Sequence, residues 1–425
     1  MPCEGPRLKK MLPAGPMRLG FLITRYATRH VAMWLAAIAF AIVFFGATLP
    51  SPLYPLYRSA FGFGGVTLTL IYAVYVLGNL AALLFFARLS DQIGRRAMTL
   101  PAIGIGMIST AAFLFADATA WLFVARALSG LSTGLAAAAL TAWIAELEPR
   151  GDRTAAAVLA SAANFTGSAL GPLLAGTLAG VARQPLRTPY VVYAVLLVAT
   201  AVLMLAPRET VSHRLDRMTD LSFRPRLAVP KQIRVAFLPP AITAFVTFSH
   251  IGFYAALIPS VLGDRLHQTS PLVAGAVICE LFLVSAVTIV ITERLRSRSA
   301  MLSGLVLLWP SLTLLASAEL LRSMPLLVAA SALCGIAAAL GYRGSLAVVN
   351  RIAPDDRRAE VVSSYLIAMY LGNSLPIMGI GLLTDWTGSV PAHLAFAAVI
   401  AGLAAAAVAV EIKTAVHCDR VRDSR

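Results

Sequence analysis

The chain reads as an all-α integral membrane protein whose twelve transmembrane helices form two pseudo-symmetric six-helix bundles, and three observations predict this. First, 59% of its 425 residues are hydrophobic and only 13% are charged, with a mean hydropathy of +0.79; soluble domains carry about 45–50% apolar and about 25% charged residues. Second, the apolar residues gather into a dozen segments near the ~20 residues that cross a ~30 Å hydrocarbon core as a helix. Third, the two halves resemble each other at a constant offset.

In chain order, residues 1–30 form a basic tail carrying Arg7, Lys9, Lys10, Arg18, Arg25 and Arg29. The apolar run after it, Ala32 to Leu49, is too long for a signal-peptide core and reads as a retained anchor. Met11 and Met17 are alternative starts. Pro50, Pro52 and Pro55 then interrupt helix, and are expected to open the first outer loop. Val66 to Ala87 holds no formal charge. Ala97 to Ala116, Ala118 to Leu147, Ala155 to Val181 and Pro189 to Ala206 complete a first bundle over 31–206. A basic linker, 207–235, separates it from a second bundle over 236–411. The segments of that bundle are Ala236 to Leu262, Pro271 to Ile291, Ala300 to Ala318, Pro325 to Val349, Val361 to Leu383 and Val390 to Val410, and a tail over 412–425 ends the chain.

The formal net charge of +15 raises the question of a nucleic-acid partner, and the distribution of the charges answers it. With the N-terminus inside, only Arg58, Arg183, Arg187, Arg265 and Arg322 fall in outer loops, and Arg126 and Arg343 lie inside segments. The other Lys and Arg sit on the cytoplasmic side. This is the positive-inside pattern, which predicts a multi-pass protein of the cell (inner or plasma) membrane with both termini cytoplasmic, lipid as its surroundings and no nucleic acid. Cys3 and Cys418 lie in the tails and Cys279 and Cys334 in apolar segments, without metal-ligand or disulfide spacing.

A shift of about 205 residues lays Arg126-Ala-Leu-Ser-Gly130 over Ser331-Ala-Leu-Cys-Gly335, and Pro149, Arg153, Gly167 and Gly176 over Pro354, Arg358, Gly372 and Gly381. Repeats of this kind recur in secondary transporters, with the substrate site at the repeat interface.

Between the second and third segments stands Ala87-Arg-Leu-Ser-Asp91-Gln-Ile-Gly94-Arg95-Arg96. It resembles the signature loop of the major facilitator superfamily, with Ala87 where the family pattern has Gly. The resemblance implies a cytoplasmic gating loop in which Asp91, Gly94, Arg95 and Arg96 form a charged latch between halves, since a carboxylate caps helix N-termini and pairs with Arg. Thr292 to Arg298 occupies the equivalent place in the second half without the Asp-Gly pattern, so a latch on one side only is expected. Gly167, Gly171, Pro172 and Gly176 resemble the antiporter motif of proton-coupled exporters in this superfamily. Their small size permits close helix packing and Pro172 permits a bend; generic small-residue packing accounts for the glycines equally well. Arg126 and Gly130 resemble the family's Arg-bearing motif, and Arg126 lies roughly 10 Å below the outer surface.

Glu280 stands about nine residues inside the end of its segment and is the leading proton-coupling candidate, with His250 and Arg126 in the same layer. An ionisable residue at such depth usually faces the bundle interior and marks a pathway, although a protonated Glu280 bonded to a neighbouring helix is the structural alternative. Tyr72, Asn79, Asn164, Tyr254 and Asn373 are candidates to line a central cavity, together with Tyr75, Tyr342, Tyr365 and Tyr370. Arg343 is expected to reach for the cytoplasmic surface.

These readings converge on a monomeric secondary transporter of a small solute. Alternating access is its expected mechanism, with proton-coupled efflux of a drug-like, sugar-like or metabolite substrate as the leading form and a nutrient importer or uniporter as the alternative. No cofactor or metal is expected beyond a proton gradient. A membrane enzyme would need convergent catalytic groups, and the six His are scattered; a sensor would ordinarily add a soluble signalling domain.

Overall fold

The computed structural model describes residues 29–86, 89–211 and 227–423, with side chains to 413. The tail before residue 29, Ala87, the middle of the linker and the side chain of Cys418 lie outside the described part. Among the described residues there is no strand. The helices are α1 Arg29–Thr48, α2 Gly65–Ala81, α3 Arg95–Leu114, α4 Thr119–Leu147, α5 Arg153–Val181, α6 Thr188–Leu203, α7 Arg234–Leu266, α8 Pro271–Ile291, α9 Ser297–Leu321, α10 Met324–Ile352, α11 Arg358–Thr387 and α12 Ser389–Asp423. Eleven of these are long and apolar enough to cross a membrane, and α6 is a shorter apolar helix.

The prolines after α1 do not open a loop. The chain continues as a 3-10 turn, Ser51–Leu53, and a further helix, Tyr54–Phe61, closed by Gly62 at φ 68°. Pro50 is the N-cap of the first piece, and Pro52 and Pro55 stand in the first turns of the first and second, where a missing N–H has no intrahelical partner to lose. Pro259 likewise lies inside α7. At the other end of α2, Ala82–Phe86 winds as a π-helix ahead of the motif loop.

The two halves repeat each other in packing as well as in sequence. Gly130 of α4 presses on the Tyr75 carbonyl of α2, and Gly335 of α10 on the Leu281 carbonyl of α8. Gly167 of α5 meets Ala41 of α1, and Gly372 of α11 meets Phe245 of α7. At each of these positions a Cβ would overlap backbone of the neighbouring helix. Ser109 of α3 donates to the Ala125 carbonyl at 2.7 Å, and Ser311 of α9 to the Ala330 carbonyl at 3.0 Å. In lipid, packing and interhelical hydrogen bonds have to do what the hydrophobic effect does in water, which is why small and hydroxyl residues recur at these seams. Leu77, Val195, Val287 and Val399 instead turn outward, half exposed or more, where lipid would cover them.

Candidate functional site: a cavity between the halves

A cavity of about 550 Å³ lies between the two halves, within the roughly 300–1,000 Å³ typical of small-molecule sites. Helices α1, α2, α4 and α5 supply one wall, and α7, α8, α10 and α11 the other. At the end near the motif loop its lining includes Thr141, Ala145 and Ala359, all exposed, whereas Phe44, Ala47 and Ser51 at the far end are buried. The cavity therefore opens at the motif-loop end only.

The far end is shut by close contacts across the halves. Gly176 of α5 rests on the Pro271 carbonyl of α8, and Gly275 of α8 on the Pro172 carbonyl of α5. The pseudo-symmetric pair is similar, since Gly381 of α11 packs against Thr69 of α2, and Tyr72 Oη donates to Asn373 Oδ1 at 3.1 Å. Of the antiporter-like residues, Gly167 and Gly171 thus pack α5 on α1 inside one half, while Pro172 and Gly176 form the seal between halves. Both contacts need a residue without Cβ, so the motif has a structural meaning independent of any exporter role.

Arg126 reaches the cavity from α4 and is 1% exposed. Its Nη1 donates to the Ala47 carbonyl at 2.7 Å, and its guanidinium lies 4.5 Å from the Tyr75 ring centre and 5.5 Å from that of Tyr72. The carbonyl belongs to the last turn of α1, where C=O groups lack intrahelical partners and the helix dipole is negative. Tyr72, Tyr75, Asn164, Tyr342, Tyr370 and Asn373 line the cavity as the sequence suggests.

Other candidates are placed elsewhere. Asn79 does not line the cavity; it donates to Tyr75 Oη at 3.2 Å and Thr133 Oγ1 at 3.1 Å, tying α2 to α4. Tyr254 is wholly buried inside the second half, and Tyr365 bonds Ser345 at 2.7 Å. Arg343 donates to the carbonyls of Glu293 and Leu295 at 2.9 and 3.0 Å, gripping the turn between α8 and α9. Of Glu280, His250 and Arg126, only Arg126 lines the cavity. Glu280 sits on the face of α8 that carries the outward-turned Leu283 and Val287, with its carboxylate taking the Ser331 hydroxyl of α10 at 2.5 Å. His250 is fully buried and stacks obliquely on Tyr254 at 5.5 Å, with both ring nitrogens unpartnered. Residue counting gives depth and not direction: two positions along α8, Phe282 does line the cavity, and Glu280, about 200° away around the helix, does not.

In the described state the motif-loop charges are engaged within the first half and not across the halves. Arg95 binds Asp91 Oδ1 and Glu146 Oε1, each at 2.5 Å, and Ser90 Oγ at 2.7 Å. The Glu209 carboxylate accepts the backbone N–H groups of Arg95 and Arg96 at 2.7 and 3.0 Å, capping α3, and Arg96 reaches the Pro207 carbonyl. Each of these partners among the described residues belongs to the first half or to the segment leaving α6, so the network staples the motif loop, α3, α4 and the linker start together. Gly94 turns the corner before α3 at φ 114°. In the second half Arg298 meets Glu411 at 2.6 Å, joining the start of α9 to α12 by other means.

Two acid–base contacts escaped the sequence. Glu146 and Glu209 are found only through their partners. Glu319 of α9, 2% exposed, meets His393 Nδ1 of α12 at 2.8 Å, with the Phe253 ring 4.9 Å from the imidazole. A carboxylate just past the end of one predicted segment and a His near the start of another are a faint signal, because the two are 74 residues apart.

Two pseudo-symmetric helical halves around a cavity open at one end define a membrane transport protein. The chain belongs to the Major Facilitator Superfamily, whose sequence pattern it matches over residues 36–375. It is 24% identical over 215 residues to the quinolone resistance protein NorA of Staphylococcus aureus, a match covering 50% of this chain and 54% of that protein. It is 26% identical over 186 residues to multidrug resistance protein 2 of Bacillus subtilis (strain 168), covering 43% and 46%. The matches thus span about half the length of these relatives. In fold it is similar to a bacterial homologue of the human lysosomal transporter Spinster in an inward-facing, unoccupied conformation, with TM-score 0.65, 16% identity, and 90% and 94% of the two chains covered. The human organic anion transporter MFSD10 (TETRAN) gives TM-score 0.67 at 16% identity, with 91% and 100% covered.

Proposed function

We propose that the protein is a proton-coupled exporter of small drug-like or metabolite molecules in the cell membrane, working as a single chain by alternating access. The observation that carries the reading is the midplane cavity open at one end and sealed at the other by Gly176, Gly275 and Gly381. Two pseudo-symmetric halves can exchange such a seal for its counterpart at the opposite end by rocking one on the other. The positive-inside rule sets the motif loop in the cytoplasm, so the described state is open inward. The resistance proteins to which the chain is similar support outward export, and both halves of the cavity come from one chain, which supports a monomer.

For coupling, Glu280 remains the proposed proton carrier. Its carboxylate sits between α8 and α10, and a change in the water that reaches it during the transport cycle is the proposed coupling step. A carboxylate holds its proton more firmly in an apolar setting than in water, so such a change would load and unload it.

The test is efflux from cells lacking their own exporters, and uptake into inverted vesicles, for a panel of toxic compounds and nutrients across pH 6–8. Accumulation in inverted vesicles that collapses with a protonophore is expected. Net inward flux in whole cells would make the protein an importer, and an unchanged pH dependence in Glu280→Gln would remove that residue from coupling.

A further inference from the structure

Resting on the reading of the cavity as the transport site, we infer that its substrates are amphipathic organic anions, with an apolar, ring-sized body and one carboxylate-like group that docks on Arg126. The cavity wall contains, among the described residues, one formal charge, that of Arg126, and no carboxylate. Among the described residues no acid pairs with Arg126. Its Nη1 is taken by Ala47 and its Nε is buried without a partner. A guanidinium presents five donors in a planar fork suited to a carboxylate, and this one still has donors to offer.

Place and surroundings set the rest of the ligand. Arg126 lies at the sealed end beside Ala47, with the aromatic side chains of Phe165, Phe248, Phe282 and Tyr342 along the cavity toward its mouth. A molecule entering from the open end would therefore go in acid first and leave its rings among these side chains. A lipophilic cation of the same shape meets an uncompensated positive charge in surroundings of low dielectric, where repulsion is scarcely screened. The aromatic faces offer such a cation some attraction, but among the described residues the wall has no carboxylate to neutralise it.

The experiment compares two ligands of nearly equal shape and opposite charge, 1-naphthoate and 1-naphthylmethylammonium, binding at pH 7 to the purified full chain in nanodiscs, with empty nanodiscs as the blank. Naphthoate is expected to bind at least ten times tighter than the ammonium. Arg126→Gln is expected to weaken naphthoate at least tenfold, and Arg126→Lys to restore part of that loss. Should Arg126→Gln fail to fold, Asn164→Asp supplies an independent arm: a carboxylate at a position that does not hold Arg126 should weaken naphthoate and strengthen the ammonium. Equal affinities, tighter binding of the ammonium, no saturable naphthoate binding, or naphthoate affinity indifferent to Arg126→Gln and Asn164→Asp would overturn the inference. Binding needs neither flux nor a proton gradient, so a protein that binds naphthoate but moves nothing in vesicles would contradict the exporter reading and leave this one standing.

Discussion

Arg95 and Glu146, 51 residues apart in sequence, face each other at the motif-loop end, with Nη2 to Oε1 at 2.5 Å and Nε at 3.2 Å from both carboxylate oxygens. Arg95 has only 7% of its side chain exposed against 35% for Glu146, so the pair is half-sheltered and the arginine cannot turn to water for replacement partners. Thr210 adds its hydroxyl to the same carboxylate, bringing the start of the linker into the network.

Glu146→Gln should lower stability by about 1.5–3 kcal/mol, the usual worth of hydrogen bonds to a charged group. Asp91→Asn should cost under about 1 kcal/mol, because Asp91 is 66% exposed and solvent screens the pair. Thermal unfolding of the purified variants in detergent checks both. A larger loss for Asp91→Asn than for Glu146→Gln would refute this ranking.

Gly176→Val and Gly275→Val should open the far end. Each side chain would enter backbone of the opposite half, and overpacking costs about 1–3 kcal/mol, which rocking the halves apart relieves. Labelling of a cysteine placed at the buried position 51 should rise several-fold in both variants. Gly167→Val packs within one half against Ala41, so it should reduce folded yield without raising that labelling.

Removing one member of the buried Glu319–His393 contact, as in His393→Ala, should destabilise by about 1–3 kcal/mol, because a buried polar group is left unpaired. The double change Glu319→Leu with His393→Phe should recover much of this loss. Equal losses in the single and double variants would mean that the contact is not the reason for the effect.

Asp152 caps α5, accepting the N–H groups of Thr154 and Ala155 at 2.8 and 3.1 Å. Asp152→Ala should cost about 1 kcal/mol and Asp152→Asn little, as caps usually do. Amide exchange in the first turn of α5 reports the difference.

Much of the fold was readable because a bilayer leaves a chain few choices. A backbone in lipid must satisfy its hydrogen bonds within each span, so an apolar stretch such as Pro271 to Ile291 is a helix with those same bounds. The loop ends were less legible where prolines were read as breaks. After α1 they open new helical pieces instead, a distinction that depends on which turn of the helix each Pro occupies.

The site was legible in part. Arg126, Tyr72, Asn164 and Asn373 were found because polar residues in apolar segments are few and tend to point inward. Glu280 obeys the same rule of rarity yet faces another helix, since a single span shows no preferred face when all its sides are apolar.

By itself the sequence determined that lipid surrounds this chain, how many helices cross it, that its halves are copies, and which residues carry charge into the membrane. Only the tertiary structure decided that the motif loop binds within one half, that Gly176 and Gly275 close one end of the cavity, and that Glu319 finds His393. Burial in lipid is a property of each segment taken alone, whereas a partner is a property of two segments and of the rotation of each about its own axis.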